Sequence, residues 1–322
     1  MTCQSPILFI VFNRPESTQR VFEQIRLARP SRLFVAADGV RAGRPGEREV
    51  CEQVRAIATN VDWPCDVTTL FRSENLGCKR AVQGAINWFF ENVEQGIILE
   101  DDCVPVPSFF RYCDELLDRY AGDSSVAQIC GSTFVPGAAG DDSYYFTHYA
   151  DIWGWATWRR AWALSDVEMK DWPEWRDSGG LKRMHGNSPA LTAIWQDIFD
   201  KTHSGQVDTW DYQWMYVCWK LNLKSIKPAR MQIQNIGFDH NATHTGTLVP
   251  DYVTPAIELE FPLRHPKSQA VNPATERMIA ELRYSIDRWT EAAHMAARVP
   301  VVGEGLIQLA KKVRNFGRGL AS

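Results

Sequence analysis

Several features that would assign a sequence quickly are missing from this one. No GxxxxGK[ST] loop and no GxGxxG follows any of its apolar runs, which argues against a P-loop NTPase and a dinucleotide-dependent dehydrogenase. The eight cysteines include no CxxC pair and no zinc-ligand spacing, so they read as buried free thiols. The longest unbroken aliphatic and aromatic run, Ile7 to Phe12, falls far short of the roughly 20 residues that span a bilayer. A basic excess is missing too. The 35 Lys and Arg stand against 39 Asp and Glu, which speaks against a nucleic-acid partner. The N-terminal segment lacks a charged n-region and a small-residue cleavage site; it reads as a strand and predicts a cytoplasmic chain.

What the sequence does have is alternation. Apolar runs at Ile7 to Phe12, Leu33 to Ala37, Val67 to Phe71, Gly96 to Leu99 and Val126 to Cys130 are separated by segments with helical spacing, such as Val21, Phe22, Ile25 and Ala28. Strand and helix in regular succession predict an α/β fold, with a mainly parallel sheet flanked by helices. Ligands of such sheets bind at the carboxyl ends of the strands. The polar clusters of the first 130 residues fall there: Arg14, Asp38, and the triplet Glu100, Asp101 and Asp102.

Three adjacent carboxylates at the mouth of a buried strand repel one another unless a cation joins them. Oxygen-only ligands suit Mg2+ or Mn2+, which share their shell with substrate phosphates. In an extended segment Glu100 and Asp102 would point one way and Asp101 the other, giving them different partners. The alternative is a solvated acidic turn ahead of the next helix.

Tryptophan is concentrated as well: ten of the 13 lie between Trp153 and Trp219. Indoles offer flat apolar faces against which a sugar ring can lie. Trp155, Trp158 and Trp162 sit three and four apart, a spacing that predicts one core-facing helix stripe and leaves Trp153 and Trp155 for a ligand.

Phe12-Asn13-Arg14 after the first strand, Asp38 after the second, the segment LEDDCVPVPSFF, Gly154-Trp155 and Trp210-Asp211 together resemble the GT-A nucleotide-sugar glycosyltransferases, and among them the N-acetylglucosaminyltransferase I type. The resemblance covers roughly residues 6 to 250. It implies a GT-A catalytic domain over 1–250, with a nucleotide-sugar half at 1–130 and an acceptor half at 131–250, followed by a helical extension at 251–322. It also implies Asp102 as metal ligand, Asp101 near the donor ribose and Glu100 near the transferred sugar. Arg14, Asp38, Lys79 and Arg80 would hold the nucleotide and its phosphates, with Trp155 beside the donor. The family's base lies in a Trp-Asp-Asp segment; Asp211 matches the first acid, Tyr212 replaces the second, and Asp208 stands close by. Asp211 also reads as the cap of a helix beginning at Tyr212. A late histidine, His244 ahead of His240, would complete the metal shell.

The activity implied is metal-dependent, inverting transfer from a UDP-linked sugar, such as a UDP-N-acetylhexosamine, to a hydroxyl of a glycan or protein acceptor, as in polysaccharide biosynthesis. A sugar nucleotidyltransferase and a non-catalytic sugar-binding module are the competing readings. Beyond Pro273, the residues Met278, Leu282, Ile286 and Trp289 predict a helix with one apolar stripe. The basic amphipathic segment 306–320 suits packing on the chain's own body or on a sister subunit in a homodimer, with peripheral contact at an anionic membrane face as the alternative.

Overall fold

Ile7–Val11, the apolar run that opens the chain, forms β1 with all but Ile10 buried, as expected of a strand covered on both faces. In this computed structural model residues 2–186, 188–238 and 250–284 are described. Pro15 opens α1 (Pro15–Ala28), which turns Val21, Phe22, Ile25 and Ala28 inward. The alternation continues through β2 (Arg32–Ala37), α2 (Glu47–Ala58), β3 (Asp66–Phe71), α3 (Gly77–Asn92) and β4 (Gln95–Glu100). Next come β5 (Cys103–Pro105), α4 (Pro107–Arg119), β6 (Val126–Cys130), β7 (Tyr144–Thr147), β8 (Trp155–Trp158) and α5 (Arg159–Trp162). Helices α6 (Trp172–Asp177), α7 (Gly180–Met184), α8 (Pro189–His203) and α9 (Asp211–Lys220) precede β9 (Lys224–Pro228), β10 (Ile233–Asn235) and α10 (Pro273–Tyr284).

Eight strands form one sheet in the order β3-β2-β1-β4-β8-β6-β9-β7. All run the same way except β8, inserted between β4 and β6, and β7 at the edge. The architecture is therefore mixed α/β with a mostly parallel sheet, as the alternation predicts. Register explains why the polar clusters meet. Val11 is level with Ala37, Ala37 with Phe71, and Ile10 with Glu100, so the residues that follow β1, β2, β3 and β4 leave the sheet along one edge.

The Trp155, Trp158 and Trp162 spacing does not mark one helix. Trp155–Trp158 is a strand with all four residues buried, and the helix begins only at Arg159. Wedged between two strands, β8 is covered on both faces, so it shows no period-2 alternation, and the three-residue step between two tryptophans mimics a helical one.

The described residues group into two units, those within 2–167 and 208–272, and those within 168–207 and 273–284. This grouping does not follow the division at residue 250. The second unit has its own aromatic core, in which Trp172 and Trp195 both pack on Phe199 at 5.2 Å and Trp195 on Tyr284 at 5.3 Å. On α10 the inward residues are Thr275, Ile279 and Ala280, while Met278 and Leu282 of the expected stripe are exposed. Ile286, Trp289 and the segment 306–320 lie outside the described residues. No described helix is long and apolar enough to cross a membrane.

Beneath the sheet's aromatic layer Lys227 of β9 pairs with Asp151, both fully or almost fully buried. Gln128 of β6 donates to the Asp151 carbonyl at 2.8 Å and accepts from the Trp214 indole at 2.5 Å, tying α9 to the same network. A buried pair costs most when one partner is removed alone. Asp151→Ala is expected to lower unfolding stability by about 3–5 kcal/mol, while the double variant Asp151→Leu/Lys227→Met recovers most of that loss. Urea denaturation of the three proteins checks it.

Candidate active site

Where β4 ends the backbone turns, so the strand alternation stops at Glu100. Asp101 and Asp102 therefore do not diverge as an extended segment would have them. One guanidinium reaches both: Arg14 Nη1 lies 2.9 Å from Asp102 and 3.5 Å from Asp101. Arg14 stands at the N-terminal boundary of α1, straight after β1, and the Phe12 N–H adds a hydrogen bond to Asp101 at 3.2 Å. Glu100, at the strand's last position, is half-buried. That burial, followed by the Asp102, Asp101 and Asp211 carboxylates, pushes its carboxyl well above the usual range, and Arg14 pulls the other way.

Asp211 thus belongs electrostatically to the triplet, although α9 brings it from the far half of the chain. It is the first residue of α9, where a carboxylate suits the helix dipole. It does not act as the cap: Trp210 holds that position and no side chain caps the helix. The Thr209 hydroxyl donates to Asp211, and Gln213 Nε2 donates to the Thr209 carbonyl at 2.6 Å, which fixes the turn.

The start of α3 completes the arrangement. Burial raises the Cys78 thiol, and the carboxylates of Glu100, Asp211, Asp208 and Asp38 raise it further. Asp208 accepts hydrogen bonds from the N–H groups of Cys78 and Lys79 at 3.1 and 3.2 Å. Gly77 precedes them at φ +77°, and a Cβ there would stand 2.9 Å from the Asp208 carboxylate, so both conformation and space call for glycine. Asp38 accepts from the Leu76 N–H at 3.0 and 3.1 Å. Burial raises its carboxyl, against the pull of the Gly39 and Leu76 N–H groups and of Arg72. Asp38, expected to touch nucleotide, also holds the loop that leads into α3. Arg80 is exposed on the first turn of α3.

Asp102 has a further neighbour. The Ile236 N–H donates to its carbonyl at 2.9 Å, and a Cβ on Gly237 would lie 2.2 Å from its carboxylate. Asn235 Oδ1 accepts from Gly237 N–H at 2.8 Å and so keeps this segment against the acid. Trp153 packs between Phe134 at 5.3 Å and Phe238 at 5.7 Å. Trp155 lies deeper. Fully buried and stacked on Trp210 at 5.7 Å with 23° between the rings, it supports the site from below instead of facing a ligand. His244 and His240 are outside the described residues.

Among the described residues no three His, Cys, Asp or Glu side chains are grouped so as to hold a metal ion. A site for Mg2+ or Mn2+ does not need three, since such ions commonly bind through one or two carboxylates plus substrate phosphates and water. The donor set fits a hard cation of this kind. It is all oxygen, with Asp101 and Asp102 sharing the Arg14 guanidinium and Glu100 and Asp211 close by.

Three contacts escape sequence reading: Asp208 on α3, Gly237 on Asp102, and the Glu47 carboxylate bound by Arg41 and by Asn13 at 3.1 Å. Each joins segments that have no local pattern in common.

No protein-family profile matches the chain, and no curated protein does. Among the solved structures that show a likeness are a UDP-glucose pyrophosphorylase complexed with UDP-glucose and an apo UDP-glucose pyrophosphorylase. Both are 10% identical over 72% of this chain and 91% of theirs, with TM-scores of 0.37 and 0.35. A likeness this weak fixes neither substrate nor reaction. The likeness to the N-acetylglucosaminyltransferase I type rests on the motif residues.

A carboxyl whose folded-state affinity for protons is raised favours folding at low pH and loses that contribution as pH rises. Glu100→Gln is therefore expected to raise the melting temperature at neutral pH, by an amount that shrinks on acidification. Thermal melts of both proteins across the pH range check the sign.

Proposed function

We propose that this chain is a glycosyltransferase that moves a sugar from a nucleotide diphosphate to an acceptor hydroxyl with inversion, at the site formed by Glu100, Asp101, Asp102 and Asp211. The observation that carries the reading is the electrostatic convergence of Asp211, at the start of α9, on the carboxylates that end β4. Inversion by single displacement needs one carboxylate to accept the proton of the attacking hydroxyl. Asp211 takes that role. It lies at a helix start, and the Thr209 hydroxyl orients it.

The remaining residues divide the donor between them. Asp102 would hold a divalent ion, with His244 as the second candidate ligand, and such an ion, when bound, neutralises charge on the departing diphosphate. Lys79 and Arg80, on the first turn of α3, would meet the phosphates through their side-chain cations, since the Asp208 carboxylate already accepts from the first N–H groups of that helix. Arg14 and Asp38 shape the nucleotide side, Asp101 the ribose and Glu100 the transferred sugar. The likeness of the motif residues to the N-acetylglucosaminyltransferase I type supports a UDP-N-acetylhexosamine as donor and a glycan or protein as acceptor.

A second reading, sugar nucleotidyl transfer, draws on the same carboxylates and on Arg14, a cation placed directly after β1. The connection Asn13-Arg14-Pro15-Glu16 lacks the glycine-rich, Lys/Arg-containing loop usual for that chemistry, which ranks it second.

UDP is expected to raise the melting temperature only when Mn2+ or Mg2+ is present, and Asp102→Ala should remove the shift. Stabilisation without metal, or by no nucleotide at all, overturns the assignment. Asp211→Asn is expected to keep the UDP shift and lose transfer by at least about 10²-fold. Supplying a UDP-sugar with both pyrophosphate and a glycan acceptor separates the two readings: release of UTP and sugar 1-phosphate selects nucleotidyl transfer, release of UDP with a glycosylated acceptor selects glycosyl transfer.

A further inference from the structure

β3 ends the eight-stranded sheet on one side and pairs only with β2. The Asp66 N–H donates to the Ser31 carbonyl at 2.8 Å and the Arg72 N–H to that of Ala37 at 3.0 Å, so the even-numbered residues turn their backbone groups toward β2. Val67, Thr69 and Phe71 therefore turn theirs outward, and no described residue bonds to them. Their side chains share one face of the strand, where Val67 and Phe71 are 37% and 38% exposed.

The opposite side of the sheet is treated differently. β7 is buried along its length, and Ser143, just before it, exchanges two hydrogen bonds of 2.8 Å with Arg264. Native sheets guard an open edge with Lys, Pro, a bulge or a covering segment. Residues 66–71, Asp-Val-Thr-Thr-Leu-Phe, contain no Lys and no Pro, and their register with β2 runs without a bulge.

We propose that β3 is the interface with a second copy of this chain, the two strands pairing antiparallel about a twofold axis at Thr69 and joining two eight-stranded sheets into one. The strand itself selects this partner. An antiparallel ladder needs outward-facing residues directly opposite one another. An axis at Thr69 provides that, setting Thr69 against its copy and Val67 against the copy's Phe71, and each such pair exchanges two N–H···O bonds. Pairs of β-branched and aromatic side chains across a ladder add to it. Charge agrees. Asp66 opens the strand and Arg72 follows it, so the same axis brings each Asp66 opposite the copy's Arg72. The smallest slip that keeps outward groups opposite sets Asp66 against the copy's Leu70 or Glu74 and loses that match. Pairing occupies the open edge of both copies, so association stops at two. It also points the carboxyl ends of the two copies' strands in opposite directions, and the inference stands apart from the glycosyl-transfer reading.

Sedimentation velocity of the full chain over a concentration series tests it. The wild type should pass from one copy to two as concentration rises. Thr69→Pro removes an outward N–H and no bond to β2, so it should keep the far-ultraviolet circular dichroism of the wild type and abolish the dimer. Thr69→Lys leaves the backbone donors in place and sets two like charges together at the axis. It should weaken dimerisation by at least about tenfold, and less at high salt. Val67→Lys and Phe71→Glu should each weaken self-association, and their equimolar mixture should recover it, because the new cation of one copy then meets the new carboxylate of the other. A wild type that stays monomeric, a dimer that survives Thr69→Lys, assembly that continues past two copies, or a mixture without recovery overturns the proposal.

Discussion

Negative charge collected at one edge of the sheet, with the Arg14 guanidinium set against it, is the constraint around which the first unit is organised. Parallel register brings the ends of β1, β2 and β4 level, and the residues that follow them include Asp38, Asp101 and Asp102. Arg14 is the cation that bonds to Asp101 and Asp102, and it has to be shared between them. The other acids there spend their charge on backbone: Asp38 on the loop before α3, Asp208 on the first N–H groups of that helix. Glu100 is shielded from solvent among them, and that loss of hydration, followed by the neighbouring carboxylates, is why its proton affinity rises. An edge in this condition favours whatever brings positive charge to it.

The N-terminal half was largely legible, because a strand buried on both faces and a helix with one buried stripe leave different periods in the sequence. The five apolar runs correspond to β1, β2, β3, β4 and β6. Legibility failed in two physical situations. One is β8, where double burial hides the strand period and the tryptophans imitate a helix. The other is α10, where Met278 and Leu282 keep helical spacing but face outward, while the smaller Thr275 and Ala280 go in beside Ile279. Hydrophobicity ranks side chains, and packing chooses among them by size as well.

The site was legible as a list of acids and only partly as a geometry. Glu100, Asp101, Asp102 and Asp211 do come together, and a carboxylate run at a strand end with another at a helix start is a local signal. The partners they choose are not local. That Arg14 bonds to Asp101 and Asp102, that Gly237 presses on Asp102, and that Asp208 binds α3 follow from how distant segments meet. Trp155 shows the same limit from the other side, since its place next to Gly154 suggested exposure and the sheet placed it in the core.

The insertion of β8 between β4 and β6 has a temporal consequence. A chain made from its N-terminus can pair β1 with β2, β2 with β3 and β1 with β4 as soon as residue 100 is available. The remaining edge of β4 then stays open, because its neighbour is not the next strand made but residues 155 to 158. β6 is in turn attached to that half of the sheet through β8 and closed on its other side by β9. The carboxylates of the β4 turn thus belong to a part of the sheet whose strands are all local to the first 100 residues, whereas Asp211 reaches them from the far side of the β8 insertion.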